Sequence, residues 1–305
     1  MRKSTILMLL IATFILFGCK KKKEDIAQNA PVENKSVPEV EKDIASVLEK
    51  SPISYEAMVF PKGKKDSAMS AFIKKFSDSE QYTILALNRL DKKNRWRADT
   101  LAIPKSIEKD FLSYSPFPQQ LDVIKDVDKI AIFSYRIHAY ALYENGKLIK
   151  WGPSSMGKKD TPTKKDLMFT NWKKEVAIST SNSEWKLRWN FNIHNTMGIG
   201  WHQYDLPGFH ASHSCLRLLE EDAKWMYNWA EMWVLTDNGQ TVKAKGTPVI
   251  VYGDSDFKSK PWLAQIQNPK ANVESVEELN KLFESHLDEI LKEQANSKKV
   301  KADRT

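Results

Sequence analysis

The chain has 305 residues, enough for one large domain or two ordinary ones with a well-buried core. A hydrophobic content of 41% with 10 tryptophans excludes a disordered chain. The formal charge of +8 comes from lysines spread along the chain and reads as a basic surface suited to anionic surroundings, while the lack of zinc-finger spacing and of RNA-binding aromatic motifs argues against nucleic acid as a partner.

At the N-terminus, Arg2 and Lys3 precede a nearly all-apolar run from Ile6 to Phe17. That run is too short to span a bilayer comfortably and suits the apolar region of a secretion signal. It ends in Leu16-Phe17-Gly18-Cys19, which resembles a lipobox, where a signal peptidase cuts before a cysteine that becomes lipid-modified. The resemblance implies a signal peptide over residues 1–18 and lipid on Cys19. It also implies a protein held at the membrane of the cell envelope, facing the periplasm or the cell exterior. An ordinary N-terminal membrane anchor is the alternative. Lys20 to Lys23 and a polar segment to residue 40 read as a flexible tether, with nothing to bury. The sequence contains 2 cysteines, so lipid on Cys19 leaves Cys215 without an intramolecular partner. A lone thiol in an oxidising compartment reads as reactive.

Residues 41–120 read as a mixed α/β region. Asp43 to Lys50 fits a short helix, and Ser67 to Phe76 a second, with Met69, Phe72 and Ile73 at helical spacing. Ile84 to Arg89 and the run Asp99 to Pro104 resemble parts of a LysM-like module, which has short helices between two strands. A generic α/β lead-in without glycan binding is the alternative. From Lys129 the pattern turns to strands, with Ile130, Ile132, Ile137, Tyr140 and Leu142 in apolar runs and Asn145-Gly146 as a hairpin turn. Gly152 to Trp172 reads as strand, loop and strand, and Trp185 to Ile193 as a strand whose alternation is interrupted by aromatics. Glu220 to Trp233 has helical spacing, and Thr247 to Tyr252 is a buried strand. An amphipathic helix is expected over 272–292, capped by Asn272, with Val276, Leu279, Phe283, Leu287 and Ile290 as its apolar stripe, before a basic tail from Ser297.

The chemistry concentrates around Cys215. Of the 6 histidines, His194, His202, His210 and His213 fall just before it. One reading is nucleophilic catalysis, in which a thiolate attacks and a nearby base takes its proton. In an extended strand His213, Cys215 and Arg217 share one face, an imidazole, a thiol and a guanidinium in a row. Such a row suits attack on a carbonyl beside a carboxylate. A zinc site of histidines and cysteine is a second reading, although no helical or paired-cysteine ligand spacing is present. A buried core cysteine with incidental histidines is the third.

The stretch "SHSCLRL", Ser212 to Leu218, resembles the [S/T]-H-G-C-hydrophobic-[R/N] signature of the L,D-transpeptidases, the YkuD-type domain. "MGIGWHQYDLPGFHASHSC" is similar to a branch with S-H-x-C at the cysteine, in which a histidine precedes a Tyr-x-Leu-Pro-Gly run. "GPSSMGKKDTPT" is similar to the family's Pro-x-Ser strand and Thr-Pro-Thr loop. The resemblance covers residues 129–252 and implies a mainly β, sandwich-like catalytic domain with flanking helices. It implies Cys215 as nucleophile, His202 as base and His213 as a neighbour that polarises the sulfur or shapes the site. Backbone N–H groups of Ser214 and Cys215 are then candidates for an oxyanion hole, and Arg217 and Ser212 for substrate binding. The implied substrates are peptidoglycan stem peptides, with no cofactor or metal, since thiol acylation needs neither. Two further readings remain: an inactive peptidoglycan-binding lipoprotein, and an L,D-carboxypeptidase or endopeptidase that uses water as acceptor. Ser214 stands where the family pattern has glycine, which matters if that position requires a positive φ.

Overall fold

The structure, a computed structural model, describes residues 53–179 and 182–304. The expected leader, the lipid site at Cys19, the tether and the helix over Asp43 to Lys50 lie outside the described residues.

The first elements are β1 (Tyr55–Val59), α1 (Lys65–Lys75), α2 (Asp78–Leu87) and β2 (Thr100–Pro104). The helix expected from Ser67 is α1. Ser77 starts α2 through a capping box, in which its hydroxyl accepts from the Glu80 N–H and the Glu80 carboxylate accepts from the Ser77 N–H. β1 and β2 pair antiparallel, Tyr55 opposite Pro104 and Val59 opposite Thr100. Two helices thus lie between two strands, over a small core of Phe60, Met69, Phe72, Ile84, Leu85, Leu101 and Ile103.

Ten strands and a helix follow: β3 (Ile130–Ser134), β4 (Ala139–Glu144), β5 (Lys147–Pro153), β6 (Asp166–Phe169), β7 (Lys173–Ile178), β8 (Lys186–His194), β9 (Ile199–Gln203), β10 (Leu216–Leu218), α3 (Glu220–Trp229), β11 (Val234–Leu235) and β12 (Val242–Ala244). The last strand is β13 (Pro248–Tyr252). One sheet has the order β5-β4-β3-β13-β6 and a second the order β10-β9-β8-β7. β13 sits at the centre of the first sheet, parallel to β3 and antiparallel to β6. Asn145 and Gly146 take φ of 49° and 77° between β4 and β5, the left-handed pair that a two-residue hairpin turn demands. Ile137, expected in a strand, is buried in the turn between β3 and β4 instead.

The period of two in β3 explains the layers. Ala131 and Phe133 face a core shared with Phe191, Ile193, Trp201, Leu216 and Leu218 of the second sheet. Ile130 and Ile132 face the opposite core, closed by Leu279, Phe283 and Ile290. The result is the expected mainly β, sandwich-like fold with flanking helices.

The amphipathic segment at the C-terminus is two helices, α4 (Val276–Glu284) and α5 (Leu287–Ala302). His286, with φ of −123°, breaks the helix between them. The cap is Ser275, whose hydroxyl accepts from the Glu278 N–H; Asn272 is buried before it. The apolar stripe survives the break because Leu279, Phe283 and Ile290 all reach the same core. The tail expected from Ser297 is helical as far as Ala302.

The β1–β2 region joins the larger body through Arg89. Its guanidinium is buried, donates from Nε to the Ile137 carbonyl at 2.8 Å, and lies beside the rings of Trp151 (5.7 Å) and Trp262 (5.4 Å). The two indole faces partner a buried cation that has no carboxylate beside it among the described residues.

Candidate active site

β10 supplies the edge of the second sheet and pairs parallel with β9, placing Leu216 opposite Trp201 and Arg217 opposite His202. The strand expected to begin at His213 begins at Leu216. Residues His213 to Cys215 form a bend, because Ser214 has φ of 84°. The imidazole, thiol and guanidinium of His213, Cys215 and Arg217 therefore do not stand in a row on one strand face. Ser214 takes the left-handed conformation that glycine adopts at no steric cost. Its hydroxyl donates to the Thr161 carbonyl at 3.3 Å, a long bond that partly offsets the strain.

The bend turns Cys215 into a cleft it shares with His202, His213, Ser212 and Arg217. Trp172, Ile178, Trp185, Met197 and Tyr204 form the apolar walls. The Cys215 thiol donates to the Gly198 carbonyl at 3.8 Å. Burial pushes the thiol pKa up, opposed by the Gly200 N–H and by Arg217, and burial prevails. In the free protein the sulfur is therefore held as the thiol.

His202 is buried, and its Nδ1 lies 2.9 Å from the Gln203 carbonyl. A carbonyl only accepts, so Nδ1 carries the proton and Nε2 keeps its lone pair. Burial, opposed by the Gln203 carbonyl and aided by Arg217, lowers the His202 pKa to about 4. A neutral imidazole with a fixed tautomer is a ready proton acceptor.

The other histidines diverge. His213 is exposed at the rim, its ring 5.3 Å from that of Trp185. His210 is buried in the core, where Nδ1 accepts from the Met156 N–H at 3.0 Å and Nε2 donates to the Tyr135 carbonyl at 3.0 Å. Its ring stacks on His138 at 3.6 Å, and burial lowers its pKa to about 4. His194 accepts from the Met197 N–H at its own hairpin. Both nitrogens of His210 are thus engaged by backbone groups, and neither His210 nor His194 lines the cleft.

Arg217 is largely occupied by its own loop. It donates to the Ala211 carbonyl at 3.0 Å and the Asp205 carbonyl at 3.4 Å, and lies 4.6 Å from the Tyr204 ring. Ser212 is buried, with its N–H donating to the Met156 carbonyl and its own carbonyl accepting from the Lys158 N–H and the Thr161 hydroxyl. These two residues hold the floor and one wall of the cleft. Sequence reasoning missed the opposite wall. Trp172, Trp185 and Met197 carry no local signature and arrive through the pairing of β7, β8 and β9. A register shift between Arg188 and Phe191 places Trp189 at φ of 54°, which accounts for the broken alternation seen in the sequence.

Comparison with known proteins agrees with this architecture. Residues 129–251 match the family model of YkuD, the L,D-transpeptidase catalytic domain. Among solved structures, an L,D-transpeptidase from Stackebrandtia nassauensis is 21% identical, with a TM-score of 0.34, 43% of this chain covered and 58% of that chain. An L,D-transpeptidase from Mycobacterium smegmatis is 20% identical, with a TM-score of 0.33, over 41% of this chain and 59% of that one. L,D-transpeptidase 1 from Mycobacterium tuberculosis is 21% identical, with a TM-score of 0.32, over 41% and 62%. The chain thus spans less than two thirds of the length of these structures. None of the curated proteins compared with the chain matches it.

Two outcomes follow from this geometry. Ser214→Gly relieves a left-handed serine, a strain of about 1–3 kcal/mol, at the loss of one long hydrogen bond. Urea unfolding is expected to show a variant at least as stable as wild type, and a loss above about 1 kcal/mol contradicts the strain at Ser214. The second outcome concerns pH. In the unfolded chain His202 and His210 titrate near ~6.5, but in the folded protein near about 4. Between those values the unfolded chain binds more protons, so their contribution to stability falls as pH drops through the window and levels off below it. His202→Gln is expected to flatten the pH dependence of unfolding between about pH 6.5 and 4; an unchanged slope contradicts a depressed His202.

Proposed function

We propose that this chain is a lipid-anchored L,D-transpeptidase of the cell envelope that acts on peptidoglycan stem peptides. The observation that carries the reading is that Cys215 and His202 line one cleft, with the His202 Nδ1 proton committed to the Gln203 carbonyl. That leaves Nε2 as the basic nitrogen in the cleft that also holds the Cys215 thiol, which burial keeps protonated.

The steps then balance. A stem tetrapeptide lies in the cleft with the carbonyl of its third residue at Cys215. His202 Nε2 takes the thiol proton as sulfur attacks that carbonyl. Backbone N–H groups of Ser214 and Cys215 receive the developing oxyanion, a role typically worth about 100-fold or more in rate. The C–N bond to the terminal D-alanine breaks, and its nitrogen takes the proton from His202. The product is a thioester on Cys215. An acceptor amine, from a second stem or a protein, then loses a proton to His202 and displaces the sulfur, which takes that proton back from His202 to restore the Cys215 thiol. Arg217 and Ser212 shape the loop and floor against which the stem lies, and His213 with Trp185 lines its rim. The basic surface suits an anionic wall polymer.

Cys215→Ala is expected to abolish D-alanine release from purified muropeptides while the unfolding transition stays in place, and full release by the variant would sink the nucleophile assignment. Intact-protein mass spectrometry is expected to show a carbapenem adduct on the wild type and none on the variant. Envelope anchoring rests on the lipobox resemblance at Cys19. Metabolic labelling with a fatty-acid analogue is expected to disappear in Cys19→Ala; label that persists there refutes the lipid site.

A further inference from the structure

The loop from Tyr204 to Ala211 connects the base, His202, to the segment that bears the nucleophile. Arg217 holds it from one side. From the other side it is held by a segment outside the catalytic domain, the turn that follows α2. Asp91 N–H donates to the Leu206 carbonyl at 3.1 Å, and the Asp91 carboxylate accepts from the Leu206 N–H at 2.6 Å. The same carboxylate accepts from the Asn94 N–H at 2.7 Å and from its side-chain amide, which fixes its orientation. Leu90 bridges antiparallel to Pro207, and the Gly208 N–H donates to the Arg89 carbonyl at 3.1 Å. Lys93 reaches Asp205 at 3.0 Å. Gly208, at φ of 81°, would place an added Cβ 3.2 Å from the Leu90 side chain, so the two segments pack closely.

We propose that this turn is a positioning clamp for the catalytic loop, and that Asp91 is its positioning residue. The proposal rests on the transpeptidase reading for its catalytic consequence, though not for the clamp itself. A carboxylate that accepts a backbone N–H at 2.6 Å makes a charge-assisted bond, stronger than a neutral one. Asp205 is where the two holds meet, its side chain on Lys93 and its carbonyl on Arg217. Arg217 in turn bears on both reacting groups: it lowers the pKa of the Cys215 thiol and of His202. Gln203, whose carbonyl holds the His202 tautomer, stands at the root of the same loop. Releasing Leu206 therefore loosens the base, the guanidinium and the thiol together, while the wall of Trp172, Ile178, Trp185 and Met197, outside that loop, stays in place.

The test uses the full chain and three readings. Hydrogen exchange on the wild type is expected to show the Leu206 and Gly208 amides protected; exchange at the rate of an open loop overturns the clamp without any variant. In Asp91→Ala, carbapenem acylation of Cys215 is expected to slow about tenfold in its covalent step, with its binding constant nearly unchanged, because geometry rather than cleft surface is lost. Asp91→Asn, which keeps an acceptor for the Leu206 N–H, is expected to recover most of that rate. An Asp91→Ala protein that acylates at the wild-type rate, or an Asp91→Asn protein as slow as Asp91→Ala, overturns the proposal. The third reading needs no substrate. Alkylation of Cys215 by iodoacetamide near neutral pH is expected to fall about threefold in Asp91→Ala, as Arg217 moves off the thiol; an unchanged or faster rate overturns the clamp. A wild type that takes no carbapenem while its amides are protected and its alkylation responds to Asp91 refutes the transpeptidase reading and leaves the clamp standing.

Discussion

Everything at this site depends on three residues of parallel pairing. β10 has only Leu216, Arg217 and Leu218, and it lies at the edge of a sheet whose other strands join by hairpins or short loops. A parallel pair needs a crossover, and here the crossover is the loop from Tyr204 to Cys215. Leu216 and Leu218 are buried and fix the register through the core. A slip of one residue would expose both leucines and bury Arg217 in their place. The register that the core enforces is also the one that sets Arg217 opposite His202 and brings Cys215 to the Gly200 N–H.

The electrostatics follow from that packing. Burial disfavours the charged form of both reacting groups, so the resting pair is thiol and imidazole and not thiolate and imidazolium. An ion pair formed in the empty cleft would have to overcome the desolvation of two charges. Arg217 shifts the balance only partly, since its own donors are spent on the Asp205 and Ala211 carbonyls. In the proposed reaction, charge separation would thus be deferred to the moment when a substrate carbonyl can accept electrons from sulfur. The cleft is organised around a proton that moves late.

Much of this was legible in the sequence, and the parts that were not have physical reasons. The hairpin at Asn145-Gly146 and the buried run ending at Tyr252 could be read because a left-handed turn and a strand buried on both faces leave local marks. The motif around "WHQY" singles out His202, and the structure places it in the cleft with a fixed tautomer. The alternation His213, Cys215, Arg217 misled, because a period of two holds only while φ stays extended, and Ser214 reverses it. The helix break at His286 was hidden for the opposite reason: the apolar stripe runs on through it to the same core. Trp172, Trp185 and Met197 were out of reach, since only long-range pairing brings them to the cysteine. The contact between Asp91 and Leu206 spans more than a hundred residues of sequence and leaves no trace in either segment alone.

The resting protonation of Cys215 has one more consequence. Peroxides and disulfides react with thiolates far faster than with thiols, and access governs what reactivity remains. A sulfur that stays protonated in a half-closed cleft, with its hydrogen given to Gly198, presents little to an oxidant. The same burial that holds the proton on the sulfur therefore also shields the thiol from oxidation.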